Sequence, residues 1–97
     1  MPGAVRIGDK NSKGGVAKGP GAASVIINGS PACITGTVVT PHPPCGAPGG
    51  QPHCNAKTTV GSGSVLAEYK PINYIGSVDS CGDVRSTGST DVLIPAG

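Results

Sequence analysis

The sequence predicts an all-β domain on three observations: no window suits a helix, the apolar residues fall in short β-branched runs, and the chain repeats itself. Gly (17) and Pro (10) make up more than a quarter of the 97 residues, and the longest stretch free of both is His53–Val60. That stretch leaves little room for a capped helix. The runs Ser24–Asn28, Thr37–Thr40, Ser64–Glu68 and Asp91–Ile94 read as strands, because Val, Ile and Thr fit a pleated surface and the intervening Gly, Pro and Asn supply turns.

The repeat gives these strands an order. The stretch from Gly21, GAASVIINGSPACITGT, aligns without gaps with that from Gly61, GSGSVLAEYKPINYIGS, so that Gly21/Gly61, Ser24/Ser64, Val25/Val65, Pro31/Pro71 and Gly36/Gly76 coincide. A third copy begins at Gly88 as GSTDVLIPAG, and its missing second half lies at the N-terminus, where Val5, Arg6, Ile7, Gly8, Asp9 match the end of a unit. The unit ends are then Gly8, Gly36 and Gly76. A unit split between the two ends of the chain predicts paired termini closing a ring of three hairpins, which removes open strand edges. Gly at each unit end suits a positive φ, and Asp9, Thr37 or Ser77 beside it can bond the turned backbone.

Composition narrows the function. A net charge of +2, no basic run and only two aromatics, Tyr69 and Tyr74, give nucleic acid neither phosphate clamps nor stacking platforms. Nothing in residues 1–20 has the length of a signal-peptide core, and no segment approaches membrane-spanning length. The expectation is a single domain, residues 1–97, made in the cytoplasm. Four cysteines, Cys33, Cys45, Cys54 and Cys81, in such a protein more often mean metal ligands or buried thiols than structural disulfides, the alternative being a disulfide scaffold exported without a signal peptide.

Residues 41–57, PHPPCGAPGGQPHCNAK, carry both histidines and two of the cysteines. His42 and Cys45 have the H-x-x-C spacing by which two ligands approach one ion from a tight turn, and the prolines lower the entropy cost of ordering it. Cys33, inside PACITG and matched by Asn73 in the next repeat, is expected to be a small buried hydrophobe. Arg6 and Arg85 are read as solvated surface charges, and KNSKGGVAK (residues 10–18) as a flexible polar loop. No nucleophile elbow, phosphate loop or paired-carboxylate spacing appears, so no enzyme is predicted.

The unit G-x-x-x-V-(I/L)-x…P-x-x-x-x-G, with KPINYIGS, the N-terminal VRIGD and Cys81-Gly82 after KPINYIGSVDS, resembles the PAAR-repeat (proline-alanine-alanine-arginine) family over essentially the whole chain. The signature itself survives only as PACI and PINY, and Lys13 in NSKGG stands where many members carry a histidine. The resemblance implies a small conical domain of three hairpin units with pseudo-three-fold symmetry and a zinc site near its apex. It places His53, eight residues before Gly61, and Cys81, in the Cys-Gly pair, among the ligands. With His42 and Cys45 they give an expected zinc set of His42, Cys45, His53 and Cys81, a closed tetrahedral site without room for water. Cys54, which alternates with His53 on an extended chain, is held in reserve.

The function implied is a structural tip that caps and sharpens a trimeric β-helical spike, one copy per trimer, in a type VI secretion system or contractile phage tail. Its partners would be that spike, separate effector proteins and, transiently, the target membrane, and its destination the target envelope or periplasm. The alternative is a stand-alone zinc-binding interaction module or a small secreted metalloenzyme.

Overall fold

Short antiparallel strands and turns make up the computed structural model, which describes residues 1–95; the last two residues of the third repeat copy, Ala96 and Gly97, lie outside the described residues. The strands are β1 (Ala17–Gly19), β2 (Ala22–Ile27), β3 (Ser30–Ala32), β4 (Val38–Val39), β5 (Leu66–Ala67) and β6 (Lys70–Pro71), paired as β1–β4, β2–β3 and β5–β6. The helical content among the described residues is one 3₁₀ turn, Gln51–His53. No described helix is long and apolar enough to cross a membrane. The all-β expectation therefore holds, in a body of 37 × 23 × 22 Å.

Two of the predicted runs form hairpins. β2 turns into β3 through Asn28 (φ 50°) and Gly29 (φ 85°), a pair suited to the two-residue turn whose twist matches that of the strands. The β5–β6 hairpin makes the same turn with Glu68 (φ 51°) and Tyr69 (φ 69°), which costs non-glycine residues steric energy. The Glu68 carboxylate is held by Ser24 of the neighbouring hairpin, accepting from its backbone N–H at 2.8 Å and its hydroxyl at 2.5 Å. The C-terminal run pairs with the N-terminus: Ala4 N–H donates to Val92 O and Ile94 N–H to Pro2 O, each at 2.9 Å, around the Gly3–Leu93 bridge.

Hydrogen bonds joining the repeat positions run in closed circuits. Val5 N–H donates to Asn73 O, Asn73 N–H to Cys33 O and Cys33 N–H to Val5 O, all at 2.9 Å. The bridges Arg6–Ala32, Ile34–Ile72 and Tyr74–Ala4 form a second such circuit. Gly8, Gly36 and Gly76 have φ of 99°, 94° and 101°, a region where glycine alone is unstrained. After each, Asp9, Thr37 and Ser77 donate their backbone N–H three residues back, to Arg6, Ile34 and Tyr74.

Burial divides the interior into two kinds. Ala4, Ala22, Ile27, Ala32, Ile34, Ala67, Ile72 and Ile94 make one aliphatic core, each isoleucine contributing about 1.5–3 kcal/mol by leaving water. Val5, Ala17 and Cys33 make a second, smaller apolar cluster, and beside these lie buried polar groups. Arg85 is fully buried, ion-paired to buried Asp79 at 3.0 Å, with a second hydrogen bond from its Nη2 to Gly15 O at 3.0 Å. The expectation of a solvated Arg85 is thereby corrected: a guanidinium offers enough donors to bind a carboxylate and backbone carbonyls together in a dry site. Arg6 is partly exposed and ion-paired to Asp9 at 2.9 Å.

Candidate metal centre

Two parts of the chain, the loop carrying His42 and His53 and the turn carrying Cys81 and Asp83, bring four ligand-type side chains together. His42 follows β4, His53 ends the 3₁₀ turn, and Cys81 and Asp83 flank Gly82 in the turn of a hairpin closed by the Val78–Val84 bridge. Gly82 has φ 92°. One ligand atom from each of the four lies within 4.8 Å of all the others.

The contacts are close. His42 Nε2 is 2.8 Å and His53 Nδ1 2.9 Å from the same oxygen, Asp83 Oδ2, and the two ring nitrogens are 3.2 Å apart. Cys81 Sγ is 3.4 Å from His42 Nε2 and 3.5 Å from Asp83 Oδ2. Zinc bonds of about 2.0 Å to nitrogen and about 2.3 Å to sulfur put tetrahedral neighbours roughly 3.3–3.6 Å apart. The separations are thus near those of one coordination shell, the two to the carboxylate being shorter.

The donor chemistry points the same way. His42 Nδ1 lies 2.8 Å from Thr40 O. A carbonyl only accepts, so Nδ1 carries a proton, and Nε2 is the ring atom that faces Asp83, His53 and Cys81; in the neutral ring it would present a lone pair to them. Lone pairs converging on one point are stable only around a proton or a cation. A thiolate and a carboxylate beside two neutral imidazoles cancel the charge of a divalent ion.

Local electrostatics follow from burial and from these contacts. Burial raises the Asp83 carboxyl, but hydrogen bonds from Cys81 and His42 and the proximity of His53 outweigh it and hold Asp83 below its ordinary value. Burial pushes the Cys81 thiol up; a backbone hydrogen bond from Asp83 offsets part of the rise and the Asp83 carboxylate adds to it. Cys33 is fully buried and is pushed up to about 11, first by burial. Its Sγ lies 3.3 Å from Asn73 Oδ1, as expected of an inert packed thiol.

A buried network holds the centre from beneath. Asn11 Nδ2 donates to Asp79 Oδ2 at 2.9 Å and lies 3.5 Å from His42 Nε2, while Asn11 Oδ1 accepts the backbone N–H groups of Lys13 and Gly15. Gly15 is required there, since a Cβ would come within 2.5 Å of His42 Nδ1. Residues 11–15 are therefore an ordered turn packed on the site, where a flexible loop was expected. Burial raises the Asp79 carboxyl, and Asn11 and Arg85 offset only part of the rise.

His42, His53 and Cys81 are the expected residues that converge. Cys45 does not join them: it is disulfide-bonded to Cys54, which consumes the thiols of both the expected ligand and the one held in reserve. The expectation that the cysteines would be ligands or buried thiols is corrected for this pair. The H-x-x-C turn exists, with Cys45 N–H donating to His42 O at 2.8 Å, but Cys54 lies within bonding reach of Cys45. Asp83 was not anticipated. Its signal is Cys81-Gly82-Asp83, because a glycine at positive φ can turn its two neighbours toward one point.

A cleft of 420 Å³ opens beside the centre, lined by Lys13, Pro43, Pro44, His53, Cys81, Gly82 and Asp83. Comparison of the chain with protein-family models and with curated proteins finds no match to either.

Proposed function

We infer that the chain is a structural, non-enzymatic tip that caps a trimeric β-helical spike of a contractile injection machine, as its resemblance to PAAR-repeat proteins implies. One observation carries the reading: the repeat-equivalent residues Ile26, Leu66 and Leu93 are 57%, 55% and 50% exposed, while the next residues along, Ile27, Ala67 and Ile94, are buried. Scattered exposed aliphatics are ordinary on a monomer. Three at the same repeat position, one on each of three runs, are what a monomer needs to meet three identical subunits.

The closed hydrogen-bond circuits through Val5, Cys33 and Asn73 support three pseudo-equivalent hairpin units about one axis, with the hairpins as the broad base. The loops carrying His42, His53, Cys81 and Asp83 would form the pointed end. Zinc suits their nitrogen, sulfur and oxygen donors, and a structural ion tying the two loops together would stiffen a tip that must bear force. Such a protein is made in the cytoplasm and delivered with the spike to the target envelope.

Native mass analysis of the chain mixed with a cognate trimeric spike tests this reading. One copy per trimer is expected, and Ile26→Ser with Leu66→Ser should abolish binding without unfolding the chain. Three copies per trimer, or no binding to the spike, would overturn it. A second reading, a zinc-dependent hydrolase, draws on the cleft beside His53, Cys81 and Asp83; zinc-dependent turnover of activated esters that is lost in Asp83→Asn would favour it.

A further inference from the structure

The Cys45–Cys54 disulfide lies where it can control the metal centre. Its two ends are nine residues apart with Cα atoms 5.0 Å apart. Cys54 directly follows His53, and Cys45 is bonded through its N–H to the carbonyl of His42. The bridge therefore fastens the two ends of the segment that presents both histidines.

Above the strand pairing at its base, little else fastens it. Backbone N–H groups of Ala47, Gly50, His53 and Cys54 each donate three residues back, to Pro44, Ala47, Gly50 and Gln51. These are local turns, which hold no distant part of the chain. At its base the loop is closed by the Val38–Lys57 bridge and by Val39 N–H to Ala56 O at 2.9 Å, and above that base the backbone tie across it among the described residues is His42 N–H to His53 O, at 3.2 Å. The segment is rich in Gly and Pro, has no buried apolar side chain between Cys45 and Cys54, and leaves both cysteines half-buried, within reach of solvent thiols.

We propose that Cys45–Cys54 is a redox staple that sets the affinity of the His42, His53, Cys81 and Asp83 centre for its divalent ion. The proposal rests on the metal reading of that centre. In the oxidised chain the two imidazoles are already held together, so binding does not have to order the loop. In the reduced chain the ordering falls on the binding step. Loop-closure entropy for a ring of this size corresponds to at most roughly a hundredfold in affinity, and the pairing at the loop base, the prolines and the local turns reduce this to about tenfold.

The chemistry balances with a small-molecule disulfide as oxidant. The Cys45 or Cys54 thiolate attacks one sulfur of the reagent and expels a thiolate. The second cysteine then attacks the mixed disulfide and expels the other. Two thiols lose two electrons and two protons, and the reagent leaves as two thiols. A chain made reduced would thus hold its ion weakly until it met an oxidising compartment.

The test measures zinc affinity by competition with a chromophoric chelator, for the wild-type chain oxidised and reduced with a phosphine, with the disulfide followed by intact mass. The oxidised chain should bind about tenfold more tightly, and Cys45→Ser/Cys54→Ser should match the reduced chain and ignore the reductant. Equal affinities would overturn the staple while leaving the metal reading intact. Tighter binding by the reduced chain would also overturn it, because the freed thiols would then be acting as ligands. Absence of zinc binding in either state would remove the metal reading and the staple with it. If the double variant does not fold, the reduced wild-type chain decides the matter; its global unfolding on reduction, seen by circular dichroism, would overturn a local staple.

Discussion

The hairpin region and the loop region of this small protein solve the same problem by different means. Around β2–β3 and β5–β6 the interior is aliphatic, with Ile27, Ile34, Ile72 and Ile94 packed on alanines. Around the candidate metal centre buried polar groups, Asn11, His42, Asp79 and Arg85, carry much of the interior beside a small aliphatic residue, Val39. The first kind of packing tolerates a change of side chain at the cost of some transfer energy. The second does not, since each polar group is stable only while its partners remain. A chain without Phe or Trp cannot fill both regions with hydrocarbon.

The contrast is most easily broken at Arg85. Arg85→Ala leaves Asp79 buried without its ion-pair partner, and should cost about 3–5 kcal/mol in chemical denaturation, much of the stability of a domain this size. Replacing both partners, as Arg85→Met with Asp79→Leu, should recover most of that loss; equal losses in the single and double variants would show that the ion pair is not the source of the effect. In the hairpin region Ile72→Ala should cost about 2–4 kcal/mol by the same measurement. A cost below that of a surface substitution would mean that the aliphatic core is not where the stability lies.

Zinc should separate the two regions further. At 100 times its Kd the ion should add about 2.7 kcal/mol to the unfolding free energy, and a chelator should reverse the gain. Cys81→Ser should lose most of this increment, whereas Cys33→Ala should retain it. A metal-dependent gain that survives in Cys81→Ser would locate the ion elsewhere.

The smallest effect concerns acid. Burial alone would raise the Asp9 carboxyl, but hydrogen bonds from Arg6 and Thr87 outweigh it and hold Asp9 below its ordinary value. A depressed carboxylate contributes stability above its unfolded pKa and loses it as pH falls through the folded one, so the contribution should fade below about pH 4. Asp79, raised by burial, acts with the opposite sign. Asp9→Asn should be less stable at neutral pH and should flatten the acid limb of a denaturation profile; an unchanged limb would assign acid sensitivity to other groups.

How much of this could be read beforehand differs between the regions as well. The strand runs, the turn glycines Gly8, Gly36 and Gly76 and the buried state of Cys33 follow from local chemistry and from a repeat that compares the chain with itself. The β5–β6 turn did not follow, because Glu68 and Tyr69 at positive φ run against local preference, and Glu68 is held there by Ser24 of the other hairpin.

The sequence by itself determined the all-β class, because frequent Gly and Pro exclude long helices and β-branched runs favour paired strands. It also marked His42, His53 and Cys81 as ligand-type residues worth grouping. Only the tertiary structure decided which side chains share a point in space. Cys45 had an attractive spacing to His42, yet its thiol meets Cys54, and Asp83 reaches both histidines across 41 and 30 residues of chain. Arg85 was likewise unreadable from its neighbours, since its burial depends on Asp79 and on Gly15, which lies 70 residues away. Spacing constrains groups within one turn, whereas partners contributed by separate loops are fixed only when the strands between those loops have paired.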